Sequence, residues 1–381
     1  MENFTLQDIV ADAKPFLQSA WNKSGFEKPT AIQVKTAAFI TEGKDVIAES
    51  PTGSGKTLAY LMPLLQRIDH NKKDVQVVVL ASSHELVMQI NQEVQSWSQD
   101  SGISSATLIG GANVKRQIDK LKKKPQLVVG TPGRIQELIN QKKLKMHNVK
   151  TIVLDEADQL LVPEHLSTIQ QIIKSTLSDR QLLLFSATLS GVIENNAKGI
   201  MNDPEIIRVS AKDVDRPVTD YIYFVSEARD KIEFLRKLVR NHDMKALVFV
   251  RDINTLSVLA EKLDYMGIAS GVLHSDTKKQ EREKSIKEFR EGKSELLLAT
   301  DVAARGLDIP DLSHVIHMDL PLESNQYIHR SGRTGRLGST TGTVISIVTV
   351  AEERELKKFA RKLDITVIKK ELSRGNIIDI K

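Results

Sequence analysis

Eight residues, Ser50-Pro51-Thr52-Gly53-Ser54-Gly55-Lys56-Thr57, have the types and spacing of a phosphate cradle. They follow a short apolar run, Asp45 to Ala48, and precede an apolar-periodic stretch, Leu58 to Ile68. A phosphate-binding loop needs that strand, loop and helix context. Glycine lets the backbone curl so that successive N–H groups face one anion, and the helix behind adds partial positive charge. Gly53, Ser54 and Gly55 are therefore expected to wrap phosphate oxygens, Lys56 to reach the terminal phosphates and Thr57 to ligate Mg²⁺. Ser50 stands where the usual pattern opens with glycine. The plainer alternative is a glycine-rich turn beside a lone lysine. Gly-Lys-Thr opening an apolar helix favours nucleotide binding over it.

Asp155-Glu156-Ala157-Asp158 closes a later apolar run. A carboxylate there, across from a phosphate loop, is placed to hold Mg²⁺, and Glu156 to orient or deprotonate an attacking water. Acid-rich helix starts are common, because the macrodipole favours them. Position behind Gly-Lys-Thr gives these four residues their weight. His329 to Arg336 carries three arginines interleaved with glycines, a set of guanidinium groups suited to phosphates rather than a core helix. Upstream, Gln33 offers an amide matched to the N6 and N7 edge of adenine, and Phe26 offers a stacking face.

These residues need a scaffold. A chain of 381 residues is too long for one ordinary core, so two domains are expected. Hydrophobic residues make up 40% and charged residues 27%, which argues against wholesale disorder. The absence of cysteine excludes disulfides and thiolate metal sites. The start of the chain lacks a signal-peptide pattern, and no apolar run is long enough to span a bilayer, so a cytoplasmic protein without a membrane partner is expected. A net charge of +5 is compatible with a polyanion partner and proves none.

Residues 1–24 read as helical. Gly25 suits a helix C-cap and Pro29 the first turn of the next helix. Continuous apolar runs then alternate with helical stretches, as in a parallel sheet buried on both faces. Strands are expected at Gln76–Ala81, Leu127–Gly130, Thr151–Asp155, Gln181–Ser186 and Ile206–Val209. Polar residues 211–217, ending in proline, read as a linker between domains 1–210 and 218–381. The rhythm restarts with strands at Tyr221–Ser226, Ala246–Val250, Ala269–His274, Glu295–Thr300, His314–Asp319 and Thr343–Val350. The fold class is α/β, and the chemistry-bearing residues fall after strands, where open α/β sheets hold ligands.

With these motifs in order, the sequence resembles the DEAD-box family of ATP-dependent RNA helicases, from Gly25 to beyond Arg336. The resemblance implies two tandem RecA-like domains, each a mostly parallel sheet flanked by helices, with ATP in the cleft and RNA across both. It implies adenine contacts at Phe26 and Gln33, and phosphate and Mg²⁺ contacts at Lys56, Thr57 and Asp155, with the metal held through water. Glu156 is implied as the residue that activates water, Ser186 and Thr188 as the coupling motif, and Asp308 as the ribose contact. Arg333 and Arg336 are implied as arginine fingers. RNA contacts are implied for Gly110, Gly111, Thr131, Gly133 and Arg134, and for Thr300, Arg305 and Gly306. His84 stands where the family has a phosphate-binding arginine, Lys279 where it has glutamine, and Ser331 where it has isoleucine. A monomer acting on single-stranded or short duplex RNA is expected, with ribosomal RNA or pre-ribosomal particles as targets.

Two rivals are a DNA translocase and an RNA clamp that hydrolyses little ATP. Lys56, Glu156 and both finger arginines are present, which disfavours the clamp. The Gln33 reading predicts that ATP supports turnover better than GTP. Guanine presents O6 where adenine presents N6–H₂, and a bidentate amide pair discriminates by about 1–3 kcal/mol, or about 5- to 150-fold. Gln33→Ala should narrow the gap in steady-state hydrolysis. Equal use of both nucleotides by the unmodified protein would remove the reading role from Gln33.

Overall fold

The computed structural model describes residues 10–210, 213, 219–304, 309, 312–335, 342–373 and 375–380, apart from the side chain of Lys279. The chain divides into two compact units, Met1–Asp215 and Arg216–Lys381. Most of the segment 211–217 read as a linker lies outside the described residues.

The first unit opens with helix α1, Pro15–Ser24. Of residues 1–24, read as helical, 1–9 lie outside the described residues, and a turn at 11–14 interrupts the helical reading. Lys14 is extended because it precedes Pro15, so the helix starts at the proline. Gly25 ends α1 with φ of 73°, a left-handed cap that glycine adopts without strain. Helix α2 spans Ala31–Thr41 with Thr30 as N-cap, so Pro29 lies just outside the helix rather than in its first turn.

Seven parallel strands follow in the spatial order β3-β4-β2-β5-β6-β1-β7. They are β1 Val46–Glu49, β2 Val77–Leu80, β3 Ser105–Leu108, β4 Leu127–Gly130, β5 Thr151–Asp155, β6 Gln181–Ser186 and β7 Glu205–Arg208. Four connecting helices matter below: α3 Lys56–Arg67, α4 His84–Trp97, α5 Val114–Lys122 and α6 Pro132–Asn140. The apolar runs are continuous because successive residues face opposite covered sides. Val77 and Val79 join one core layer, Val78 and Leu80 the other. Each such side chain contributes about 1.5–3 kcal/mol on burial.

The second unit repeats this plan, with sheet order β10-β11-β9-β12-β13-β8-β14-β15. Its strands are β8 Thr219–Val225, β9 Ala246–Phe249, β10 Ser270–Leu273, β11 Leu296–Ala299, β12 His314–His317, β13 Gly342–Val348, β14 Val367–Ser373 and β15 Asn376–Asp379. All pairings are parallel except the β14–β15 hairpin. The expected α/β class holds in both units.

A polar knot anchors the second core. Lys231 is buried and donates to Glu352 Oε2 and to the Met318 carbonyl, each at 2.8 Å. Glu352 also accepts from the Thr349 N–H at 2.8 Å, capping the helix Val350–Leu363. Burial alone would raise the pKa of Glu352. The bonds from Lys231 and Thr349 outweigh it, so the carboxyl sits below its usual value. A depressed carboxyl stabilises the fold above its unfolded pKa, and that stability is lost as pH falls through the folded value. Glu352→Gln should therefore lower stability by about 1–3 kcal/mol near pH 7, with the deficit shrinking below about pH 4. Urea unfolding followed by circular dichroism checks this. Equal stability near neutrality would show that the pair contributes nothing.

Candidate nucleotide and nucleic-acid site

The phosphate loop links β1 to α3. Gly53 and Gly55 have φ of 76° and 87°, in the left-handed region that favours glycine. Ser50 and Ser54 are buried and joined hydroxyl to hydroxyl at 2.7 Å, so the serine at the loop's first position is a brace. Lys56 Nζ donates to the Ser50 and Pro51 carbonyls, each at 2.7 Å. Its ammonium therefore lies folded over the loop, within the space the loop encloses.

Gln33 is buried, and its amide is engaged at both ends. Its oxygen accepts from the Thr30 N–H at 2.9 Å and its nitrogen donates to the Gly55 carbonyl at 3.2 Å. The amide expected to read adenine thus also fastens α2 to the phosphate loop. A Cβ on Gly55 would stand 2.6 Å from Gln33 Nε2 and 3.1 Å from Thr30 Oγ1. That hydroxyl faces the Gln33 backbone in a capping box and makes no other hydrogen bond among the described residues. Glycine at 55 is thus required by the Gln33 and Thr30 side chains packed against it as well as by its φ. Phe26 keeps 45% of its surface exposed and stacks on Trp97, with ring centres 6.4 Å apart.

Asp155 ends β5 and is 3% exposed. Tyr60, buried on α3, donates to its Oδ2 at 2.8 Å, and the Glu156 N–H donates to its Oδ1 at 2.9 Å. Burial pushes the Asp155 carboxyl up to about 6, against the pull of Tyr60 and Lys56 and with the neighbouring Glu156 charge adding to the rise. Glu156 holds φ of 51°, a strained setting for a side-chain-bearing residue. Its Oε2 accepts from Ser82 Oγ at 3.0 Å, at the carboxyl end of β2. Among the described residues no group of three or more His, Asp or Glu side chains could hold a metal. The buried Asp155 carboxylate, near enough to Lys56 to feel its charge, is the hard oxygen donor that a cation such as Mg²⁺ takes.

Asp158, also buried, accepts from Ser186 Oγ at 2.7 Å, and Thr188 Oγ1 lies 3.5 Å from its other oxygen. One carboxylate therefore ties the end of β5 to the loop after β6.

Gly110, Gly111, Thr131, Gly133 and Arg134 follow β3 and β4, on the same carboxyl-end rim. Arg134 is only 8% exposed. Its Nη1 donates to the Ala112 carbonyl at 3.3 Å and its Nε lies 2.8 Å from Glu137. Its guanidinium thus also braces the turn after Gly110–Gly111. His84 opens α4 beside that loop, where a Cβ on Gly110 would stand 3.6 Å from its Nε2.

In the second unit Thr300 is buried at the end of β11 and Arg333 at the end of the helix Ser324–Ser331. Arg305, Gly306, Asp308 and Arg336 lie outside the described residues. Arg330, read with its neighbours as presented to phosphates, is 2% exposed. It grips Asp301 through two bonds of 2.6 and 2.7 Å and the Asp319 carbonyl at 2.7 Å, so it is a structural latch. Ser331 satisfies its hydroxyl on the Tyr327 carbonyl at 2.7 Å, which explains why serine is accommodated in that helix.

The sequence alone assigns no role to Tyr60, Ser82 or Asp158. Asp158 alone carried a signal, as the last acid of a motif followed by Ser186-Ala187-Thr188 on a later strand.

Residues 30–195 match the DEAD/DEAH box helicase family, and residues 230–338 match the helicase conserved C-terminal domain family. The chain is 55% identical over 357 residues to "Probable ATP-dependent RNA helicase YfmL" of Bacillus subtilis, covering 94% of each chain. It is 50% identical to "DEAD-box ATP-dependent RNA helicase CshC" of Bacillus cereus, covering 98% of this chain and 95% of that one. Its structure is similar to that of Saccharomyces cerevisiae Dbp5 bound to RNA and ADP BeF3, with a TM-score of 0.86 and 30% identity over 96% of this chain and 95% of that one.

The buried carboxylate has a stability cost with a definite sign. Its folded pKa of about 6 exceeds the unfolded value, so the ligand-free fold loses stability as pH rises through that window. Asp155→Asn should stabilise the ligand-free protein by about 1–3 kcal/mol near pH 7.5, with the gain fading by about pH 4. Both tryptophans, Trp21 and Trp97, belong to the first unit, so tryptophan fluorescence during urea unfolding reads it out. A variant less stable than the parent near pH 7.5 would contradict this account.

Proposed function

The chain belongs to the DEAD-box family of ATP-dependent RNA helicases, and from that premise we propose how its residues divide the work. The protein couples RNA-stimulated ATP hydrolysis and closure of its two RecA-like units to local opening of RNA duplexes. One observation carries this reading. Glu156, adjacent to the buried Asp155, is held by Ser82, and Ser82 leads through Ser83 to His84 against the Gly110–Gly111 loop. The hydrolytic carboxylate and the nucleic-acid side of the rim are thus in contact through three consecutive residues.

The proposed domains are 1–210 and 218–381, joined by 211–217. In the first, Lys56 exchanges the Ser50 and Pro51 carbonyls for the phosphates of ATP, and the N–H groups of Gly53 to Thr57 cradle them. Phe26 and Gln33 take the adenine and Asp308 the ribose. Thr57 and Asp155 would hold Mg²⁺, whose charge would offset that of the phosphates. Glu156 orients the attacking water and accepts its proton. Arg333 and Arg336 supply positive charge at the terminal phosphate when the units close.

Gly110, Gly111, Thr131, Gly133 and Arg134 hold RNA in the first unit, and Thr300, Arg305 and Gly306 in the second. Contacts to phosphates and 2′-hydroxyls need no base sequence. Asp158, Ser186 and Thr188, joined by hydrogen bonds, couple the two sites. Each ligand favours the closed form, so each strengthens binding of the other. The reading extends to a monomer in a bacterial cytoplasm that remodels ribosomal RNA or pre-ribosomal particles. The Bacillus origin of the relatives supports the bacterial setting.

Steady-state ATPase with and without single-stranded RNA tests the proposal. Lys56→Ala should lose nucleotide affinity, whereas Glu156→Gln should bind ATP and RNA and not turn over. Residues 1–210 alone, or Arg336→Ala in the full chain, should lose RNA-stimulated turnover by about 10³-fold, the lower end of an arginine finger's effect. A 1–210 fragment stimulated by RNA as strongly as the intact chain would overturn the divided site.

A further inference from the structure

The charge of this protein is unevenly placed. Between Val114 and Lys150 there are eleven lysines and arginines and only two acids, a local charge of +9. The whole chain carries +5, so the other 344 residues are net acidic, at −4. Elsewhere, helix lysines pair with acids one turn away, as in Lys198–Glu194, Lys284–Glu288 and Lys357–Glu353. That is the ordinary solvated face of a helix. The basic segment lacks this compensation. Lys122 meets Asp119 and Lys150 meets Asp179, but Lys123, Lys124, Lys142, Lys143 and Lys145 have no carboxylate partner among the described residues.

The fold gathers these residues along one edge. Helix α5 starts just after Gly110–Gly111 and runs beside the edge strand β3 to the opposite rim, about 13 Å for nine residues at the helical rise. Val114, Ile118 and Leu121 face the core, which leaves Lys115, Arg116, Lys120 and Lys122 exposed. Leu144 and Met146 are buried in the same core layer as Leu121. They seat the loop after α6 on the same face of the sheet as α5, with Lys143 and Lys145 alternating outward. The result is a basic track that begins at the proposed RNA corner and leads away from the nucleotide.

We propose that α5 and the 141–147 loop form a second RNA-binding surface, which grips the phosphate backbone of the duplex flanking the strand being opened. The proposal rests on the reading of the chain as an RNA helicase. Two features favour paired over unpaired RNA. The segment from 114 to 150 contains no Phe, Tyr or Trp, so it offers no platform for stacking unpaired bases. Its cations are mostly lysines, which meet a regular phosphate lattice as point charges without reading sequence. The surface would hold the enzyme on structured RNA through rounds of closure and release.

The test uses the full chain with Lys123, Lys124, Lys142 and Lys143 all changed to Gln. A control changes Arg354, Lys358, Arg361 and Lys362 to Gln, an equal loss of charge on exposed positions of the second unit. Fluorescence anisotropy reads affinity for a single strand of about ten nucleotides and for the same strand joined to about fifteen base pairs. The track variant should keep its affinity for the single strand and its ATPase stimulation by it. It should bind the duplex-bearing RNA about tenfold more weakly, with a log–log salt slope smaller by about two to four. The control should bind both as the parent does. Unchanged affinity for the duplex-bearing RNA would overturn the proposal, and so would equal weakening on both RNAs. Because affinity is read directly, a chain that bound RNA without RNA-stimulated hydrolysis would contradict the helicase reading and still decide this one.

Discussion

A single carboxylate has to be kept inside the first sheet, and much of that unit is arranged around this need. Asp155 ends a strand buried on both faces, where an ionised group is costly. Tyr60 and the Glu156 N–H supply its hydrogen bonds, and Lys56 stands near enough to lower its pKa. Tyr60 lies four residues beyond Lys56 on the same helix, so bracing the carboxylate also fixes where the phosphate loop sits. Glu156 takes a strained backbone setting, and its side chain accepts from Ser82. The unit thus holds a charge that the ligand-free fold would be more stable without, the usual sign of a site shaped for a ligand.

The parallel sheets were legible because their strands are apolar on both faces. Leu127–Gly130, Thr151–Asp155 and Gln181–Ser186 have the bounds their composition suggests. Strand β3 was not, because Ser105-Ala106-Thr107-Leu108 is a short edge strand of small and polar residues with little apolar run to detect. The β14–β15 hairpin escaped for a similar reason. Its Val-Ile-Lys-Lys-Glu-Leu-Ser sequence is half exposed and has no distinct strand signature after a long helix.

At the site, residue types were readable and partnerships were not. Arg330 looks in sequence like an arginine that meets phosphates, and the burial of Arg330 and Arg134 was not legible there. Arg330 is buried because Asp301, 29 positions earlier, neutralises it, and Arg134 because the Gly110–Gly111 loop turns its Ala112 carbonyl toward it. Gln33 advertises an amide, but only the fold shows that Thr30 and Gly55 occupy both ends. Tyr60 and Asp155 are 95 residues apart, and no local pattern links them. The same holds for the basic edge. A modest net charge hides a local excess until α5 and the 141–147 loop are seen to share one core layer.

The proposed mechanism requires that neither unit alone carry the activity, and that ATP and RNA together bring the units into the closed form. The chain has no cysteine, so Ser178→Cys and Glu261→Cys, exposed sites on the first and second unit, would each take one dye. Single-molecule energy transfer between them is the most direct measurement. The account predicts a shift to a single high-transfer state only when a non-hydrolysable ATP analogue and RNA are both present, with either ligand alone leaving the free distribution nearly unchanged. A complete shift with nucleotide alone, or no shift with both ligands under conditions where both are bound, would contradict it.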